Sequence, residues 1–203
     1  MATYPKSLRN LIDCFKKLPS IGEKTAERMA FATMNMTAEQ IELFAKSLLN
    51  VKNNIKKCSI CNNLTENDLC DICSDSSRNN DVLCVVDSPK NVVLFEKIGS
   101  FWGKYHVLDG LISPLDGITP DQINIKTLIE RVKREDIKEI IVAVKPSIEG
   151  ETTALYISRV FENSPVLVSK IAHGVPLGTD MEYIDSLTLE MALEDRKKIS
   201  EEK

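Results

Sequence analysis

The chain has 203 residues, 43% of them hydrophobic and 28% charged, with a formal net charge of −4. That balance fits one sizeable core with room for a small appended module, and it excludes a disordered or fibrous chain. No apolar run reaches the length of a membrane span, and Met1-Ala2-Thr3-Tyr4-Pro5-Lys6 lacks the pattern of a signal peptide, so the six cysteines are expected in a reducing, cytoplasmic setting. Within the chain the charge is uneven. Residues 1–57 hold ten Lys/Arg against five Asp/Glu, a net of +5, and the rest carries −9. Phosphate binding, where present, is expected in the first part, and protein partners or metal in the second.

In chain order, Leu8, Leu11, Ile12 and Phe15 mark one face of a helix over residues 4–17, stopped by Pro19. Ser20-Ile21-Gly22 makes a tight turn, and a second helix begins at about Glu23 with Ala26, Met29 and Ala30 inward. Thr37-Ala38-Glu39-Gln40 is a capping box for a third helix, with Ile41, Phe44, Ala45, Leu48 and Leu49 as its expected buried stripe. Two Cys-x2-Cys knuckles follow, Cys58/Cys61 and Cys70/Cys73, around an eight-residue filler with no helix or strand period. From residue 81 strands and helices alternate. Val82–Val86, Tyr105–Leu108, Glu139–Val144 and Val166–Ile171 read as strands. The helices run from Ser88-Pro89 through Glu96, over Ile125–Lys133, over Thr152–Phe161, and over Ser186–Lys198 before a charged tail. A parallel α/β sheet is the expected core of this part.

Three places carry chemistry. The knuckles turn four thiolates toward one point, a closed tetrahedral S4 site that suits one structural Zn2+ and leaves no open position for catalysis. The alternative is two disulfides or unrelated thiols; Cys84, in an apolar run, reads as an inert buried residue, and Cys14 lies outside the cluster. The second place is Leu18–Arg28, a helix–hairpin–helix. Its turn and second-helix N-terminus offer backbone N–H groups to a phosphate, with Gly22 and Thr25 at the turn and Lys24 and Arg28 on one helical face. An αα-hairpin that only packs is the plainer alternative. Gly22-Glu23-Lys24-Thr25 is not a Walker loop, because no glycine directly precedes the lysine. The third place is the strand-end edge of the sheet, where Asp87, Glu149 and Glu151 gather carboxylates of the kind that hold Mg2+.

With those segments in order, the chain resembles the RecR recombination-mediator family from about Tyr4 to Arg196. The resemblance rests on Leu18–Ala30, on the two knuckles with Cys70-Asp71-Ile72-Cys73-Ser74-Asp75, and on Tyr105-His106-Val107-Leu108. It rests further on Ser113-Pro114-Leu115-Asp116-Gly117-Ile118, Pro146–Tyr156 and Glu182-Tyr183. It implies an α/β multi-module chain: a helix–hairpin–helix module over 1–56, a four-cysteine zinc finger over 57–78, a Toprim-type parallel sheet over 79–175 and a C-terminal segment over 176–203. It implies a non-catalytic DNA-repair mediator in a cytoplasmic, nucleoid-associated setting, with no membrane partner. Such a protein binds gapped or junction DNA without reading sequence and forms a dimer or tetramer ring. Through RecO and/or RecF it helps load RecA onto gapped DNA coated with single-strand-binding protein. Lys24, Arg28, Gly22 and Thr25 would meet DNA; Asp87, Glu149 and Glu151 would meet the protein partner.

Catalytic Toprim enzymes look similar around the third strand, with Asp-Pro-Asp-Arg-Glu-Gly-Glu where this chain has Lys145-Pro146-Ser147-Ile148-Glu149-Gly150-Glu151. Both metal-binding aspartates are thus replaced, and a lysine ammonium repels the cation it would have to hold. The expectation is a phosphoryl-transfer centre that has been dismantled, the alternative an Mg2+-dependent nuclease- or primase-like enzyme using Asp87 and Glu149. Four positions depart from the family pattern: Ser20 for glycine, Asp87 for glutamate, Asn91 for aspartate and His173 for arginine.

Overall fold

The computed structural model describes residues 4–172 and 174–196, so His173 and most of the charged tail lie outside the described residues. The chain divides into two compact units, Met1–Ile55 and Lys56–Lys203.

The first unit is three helices, α1 (Lys6–Lys16), α2 (Glu23–Thr33) and α3 (Ala38–Asn54). Ile12 and Phe15 of α1 close on Ala26 and Ala30 of α2, with Leu8, Leu11, Ile21 and Met29 around them. The two alanines let the helices approach closely, and both are fully buried. α3 opens on the expected capping box: Thr37 Oγ1 accepts from Gln40 N–H at 3.3 Å and Gln40 Oε1 from Thr37 N–H at 2.9 Å. Its expected buried stripe is a correction, for α3 has no buried residue. Leu48 is 60% exposed and Leu49 61%, and Ile41, Phe44 and Ala45 are exposed as well. Periodicity shows that a helix has an apolar face; what covers that face is a separate matter.

The second unit begins with β1 (Lys56–Lys57), which pairs antiparallel with β2 (Leu64–Thr65). The filler between the knuckles therefore contains half of a small hairpin, too short to leave a period in the sequence. After the one-turn helix α4 (Asp71–Ser74) comes a four-stranded parallel sheet of order β4-β3-β5-β6. Its strands are β3 (Val82–Val86), β4 (Lys104–Val107), β5 (Glu139–Val142) and β6 (Leu167–Lys170). The helices α5 (Pro89–Ile98), α6 (Ile125–Arg134) and α7 (Ile148–Val160) connect them, and α8 (Ser186–Glu194) closes the described chain. Proline at the first helical position and a hydrogen bond from Lys90 N–H to Ser88 Oγ start α5, and Gly99 in the left-handed region ends it. α7 starts four residues before the expected Thr152, because Ser147 caps it by accepting from Gly150 N–H at 3.3 Å.

Two apolar layers enclose the sheet. Leu83, Val85, Ile140 and Val142 pack with Leu128 and Val132 of α6 and Ile157 of α7. Cys84, Val86, Tyr105 and Val107 face the other way, with Val92 of α5. Cys84 is 3% exposed, and burial pushes its thiol up to about 12, which keeps it an unreactive filler as expected.

Candidate functional site

Cys58, Cys61, Cys70 and Cys73 are all buried, and their sulfur atoms lie within 4.8 Å of one another. Zn–S bonds of about 2.3 Å at tetrahedral angles set sulfurs about 3.8 Å apart. The observed Cys61–Cys70 separation of 3.5 Å matches that spacing, so the residues fit the metal. Local structure makes the knuckle: Asn62 N–H donates to Cys58 O at 3.0 Å, Cys58 N–H to Asn63 O at 2.7 Å, and Asn62 takes a positive φ of 61°. Cys70 N–H points at Cys58 Sγ, 3.4 Å away, and so stabilises negative charge on that sulfur. Among themselves the sulfurs compete for protons. Hydrogen bonding to Cys70, then to Cys73, and then burial push the Cys61 thiol up, while the bond from Cys61 pulls Cys70 down. Cys58, Cys61, Cys70 and Cys73 would hold a divalent cation as four thiolates, which would end that conflict. Among the described residues this is the one group of His, Cys, Asp or Glu whose ligand atoms converge.

The ribbon is bound to the sheet by polar contacts that spacing does not reveal. Lys57 pairs with Asp109 at 2.9 Å, Asn62 Nδ2 donates to Thr127 Oγ1 at 3.3 Å, and Val107 N–H donates to Cys61 O at 2.8 Å. Between ribbon and sheet, Arg78 clamps Glu96 through two nitrogens at 3.0 and 2.5 Å, and Tyr105 Oη donates to the same carboxylate at 2.8 Å. Trp102 stacks 5.0 Å from the Arg78 guanidinium. The bond from Arg78 holds the Glu96 carboxyl below its usual range. Sequence reading missed Arg78 and Arg131. A signal for Arg131 does exist, since it sits three residues after Leu128 on the buried face of α6.

In the hairpin, Ser20 has φ 65°, so the position that usually carries glycine does demand the left-handed region. Gly22 is the N-cap of α2, no side chain caps that end, and a Cβ on Gly22 would meet nothing within 4 Å. The packing of the chain itself therefore does not call for glycine there. Lys24, Thr25 and Arg28 are exposed, and neither Lys24 nor Arg28 is in an ion pair among the described residues. Lys16 pairs with Glu23, which offsets a carboxylate beside that helix end.

At the strand-end edge the three carboxylates are engaged separately. Asp87 accepts from Asn91 Nδ2; Glu149 Oε2 accepts from Ser147 Oγ at 2.7 Å; Glu151 pairs with Lys170 at 3.2 Å. The bond from Ser147 pulls the Glu149 carboxyl down. A cleft of about 440 Å³ is lined by Asp87, Asn91, Leu94, Ile98 and Lys145, and one of about 780 Å³ by Lys145, Ser147, Glu151, Lys170, Leu187 and Met191. Asp87 and Glu151 thus line different clefts, and the structure does not bring the three acids to one metal-sized point.

Comparison with known families agrees with this layout. Residues 8–52 match the RecR helix-hairpin-helix, residues 55–75 the RecR four-cysteine zinc finger domain, residues 81–172 the Toprim domain, and residues 174–197 the RecR C-terminal region. The zinc finger match and the four converging sulfurs together point to one structural zinc. Among the described residues no helix is long and apolar enough to cross a membrane. With the four matches in chain order over the modules just described, the chain belongs to the RecR family, whose domains serve DNA repair and recombination.

Proposed function

We propose that this chain is a non-catalytic recombination mediator that binds DNA without reading its sequence and, with RecO and/or RecF, helps load RecA onto gapped DNA. The observation that carries the reading is the N-terminus of α2, which no side chain caps among the described residues, open at Gly22 and flanked by Lys24 and Arg28, both exposed and outside any ion pair among those residues. Backbone N–H groups at a helix end donate to the phosphate of any nucleotide, and two cations four residues apart reach the next phosphates along the strand. Assembly into a dimer or tetramer ring is supported by the uncovered apolar face of α3, which a second copy would bury. The acidic edge of Asp87, Glu149 and Glu151 is read as the docking surface for the protein partner. Support for a non-catalytic edge comes from Lys145 and Ser147 at the aspartate positions and from the separate engagement of the remaining acids.

The test is a titration of labelled gapped DNA with the full chain, alone and with its protein partner, across a salt series. Lys24→Glu with Arg28→Glu is expected to weaken binding at least about tenfold and to flatten the salt dependence by about two phosphate contacts. Unchanged affinity and slope would show that DNA is held elsewhere. Mg2+-dependent cleavage that disappears in Asp87→Asn would replace the mediator with the Toprim enzyme.

A further inference from the structure

Between β4 and α6 the chain makes a small hairpin. Ser113 and Ile118 form an antiparallel bridge, with Ser113 N–H donating to Ile118 O at 3.1 Å and Ile118 N–H to Ser113 O at 2.8 Å. Inside the bridge Gly117 N–H donates to Pro114 O at 3.3 Å, and Ser113 Oγ donates to Asp116 Oδ2 at 2.7 Å. The ring of Pro114 sets its own φ, and Gly117 takes the φ of 71° that the turn requires. The base is anchored as firmly. Ile112 is buried in the apolar layer under the sheet, Ile118 packs against that layer, and Ile112 N–H donates to Oγ1 of the fully buried Thr153 at 2.9 Å.

Each of these residues holds the turn; Leu115 does not. Its side chain stands at the tip, 95% exposed. An exposed leucine alone needs no explanation, and loop tips are ordinarily free to move. Here the backbone around the leucine has been ordered, and no burial of Leu115 offsets the entropy lost. In a binding surface the same order is useful, because an apolar side chain fixed before contact loses little freedom on entering a pocket. The surroundings carry one sign of charge. From Tyr105 to Ile125 the chain holds Asp109, Asp116 and Asp121 and no lysine or arginine. Asp109 pairs with Lys57, whereas Asp116 and Asp121 are exposed and outside any ion pair among the described residues.

We propose that the hairpin over residues 112–118 is a protein-docking knob: Leu115 enters an apolar pocket on the partner, and Asp116 and Asp121 meet cations on the rim of that pocket. This rests on the reading of the acidic edge as the partner's docking surface, and adds an apolar anchor to it. The two are physically joined. Thr153, which holds Ile112, itself donates to Glu149 O at 2.6 Å, so the hairpin is fixed to the first turns of α7, the helix that carries Glu149 and Glu151. Exposed acids steer and orient a partner, while a buried apolar anchor supplies affinity. The occupant is a protein with a basic rim and not DNA, because a cation-free loop with three aspartates repels a phosphate backbone.

The test titrates the full chain with purified RecO and with purified RecF by calorimetry. Leu115→Ser is expected to weaken the complex that forms by about tenfold or more while the denaturant midpoint of the chain stays put, and Leu115→Met to bind within about twofold of the parent. Asp116→Asn keeps an acceptor for Ser113 Oγ and removes only the charge, so it should reduce the salt dependence of binding and leave the affinity at high salt unchanged. Parent-like affinity in Leu115→Ser, with binding weakened by Glu149→Gln and Glu151→Gln, would overturn the knob and leave the acidic edge as the docking surface. The reverse pattern would uphold the knob and remove those acids from the interface. If neither RecO nor RecF binds the parent at low salt, both readings fail. Loss of DNA affinity by the Leu115→Ser chain alone would also overturn the proposal, since the leucine would then be a wedge between bases.

Discussion

In the Lys56–Lys203 unit four of the five residues of β3 are buried, whereas in the Met1–Ile55 unit the 17-residue α3 buries none. Both segments are rich in apolar side chains, so composition does not separate them. The difference lies in what the chain itself supplies as cover. β3 has strands on both sides and helical layers above and below, so its surface is removed from water within one molecule. α3 presents Leu43, Leu48, Leu49 and Val51 at 60–67% exposure, and its stabilisation by burial waits on another surface. β3 is thus covered within its own unit, whereas the apolar face of α3 is left to be covered. Changes inside the sheet should act on stability, and changes in the helical unit should act chiefly on what it meets.

The largest expected break in that contrast is at Gly150. A Cβ there would lie 1.9 Å from the Lys145 carbonyl oxygen, which is backbone and has no rotamer to yield. Gly150→Ala should therefore force apart the turn from β5 into α7 and destabilise the protein by about 3 kcal/mol or more. Denaturant unfolding monitored on the sheet unit is the measurement. A loss below about 1 kcal/mol would mean that the β5–α7 turn is softer than its packing implies.

How much of this was legible in the sequence follows from the range of each interaction. Thr37 with Gln40, Ser88 with Pro89, and the cysteine spacing are local, and each stands in the structure as its residues foretell. Ser20 was legible in the same way, since the turn fixes φ whatever residue occupies it. The stripe on α3 was legible as a stripe and wrong as a buried one, because periodicity carries no information about the covering partner. Periodicity marks Arg131 as buried, but nothing local names the backbone acceptors of Arg78 and Arg131, Gly103 O and Tyr105 O, which lie 25 and 26 residues away in sequence. The acids at the strand ends were read as a cluster because topology gathers strand ends at one edge. Side-chain hydrogen bonds to Asn91 and Ser147 and the pair with Lys170 then hold them separately.

A smaller break comes with acid. His106 is fully buried on β4, its Nε2 lies 2.9 Å from Asn124 O, and its Nδ1 has no partner among the described residues. Burial, with Arg131 nearby, lowers its pKa from the ordinary 6.5 to about 4. Between those values the unfolded chain binds the proton and the folded chain does not, so stability falls as pH drops from 6.5 toward 4 and is complete above 6.5. The full difference is on the order of 3 kcal/mol. In His106→Gln, where the amide can still donate to Asn124 O, stability measured by denaturant from pH 7 to 4.5 should fall less steeply than in the parent. Parallel curves for the two proteins would assign the acid sensitivity to other groups, the zinc thiolates first among them.

The smallest effect belongs to the helical unit and has the opposite sign. Ser20 holds φ at 65°, a region that costs an L-residue with a Cβ about 1 kcal/mol and costs glycine nothing. Ser20→Gly gives back part of that gain by loosening the unfolded chain, which leaves a net stabilisation of about 0.5 kcal/mol. Ser20→Ala keeps the Cβ and loses the hydroxyl, so it should be no more stable than the parent. If the hydroxyl serves only the turn, DNA affinity in Ser20→Gly should stay within about twofold of the parent while Lys24→Glu with Arg28→Glu loses far more. A stabilised Ser20→Gly chain whose affinity nevertheless drops tenfold would mean that the strain at Ser20 is retained for a hydrogen bond to phosphate. The helical unit would then be shaped for its partner even at the cost of its own turn.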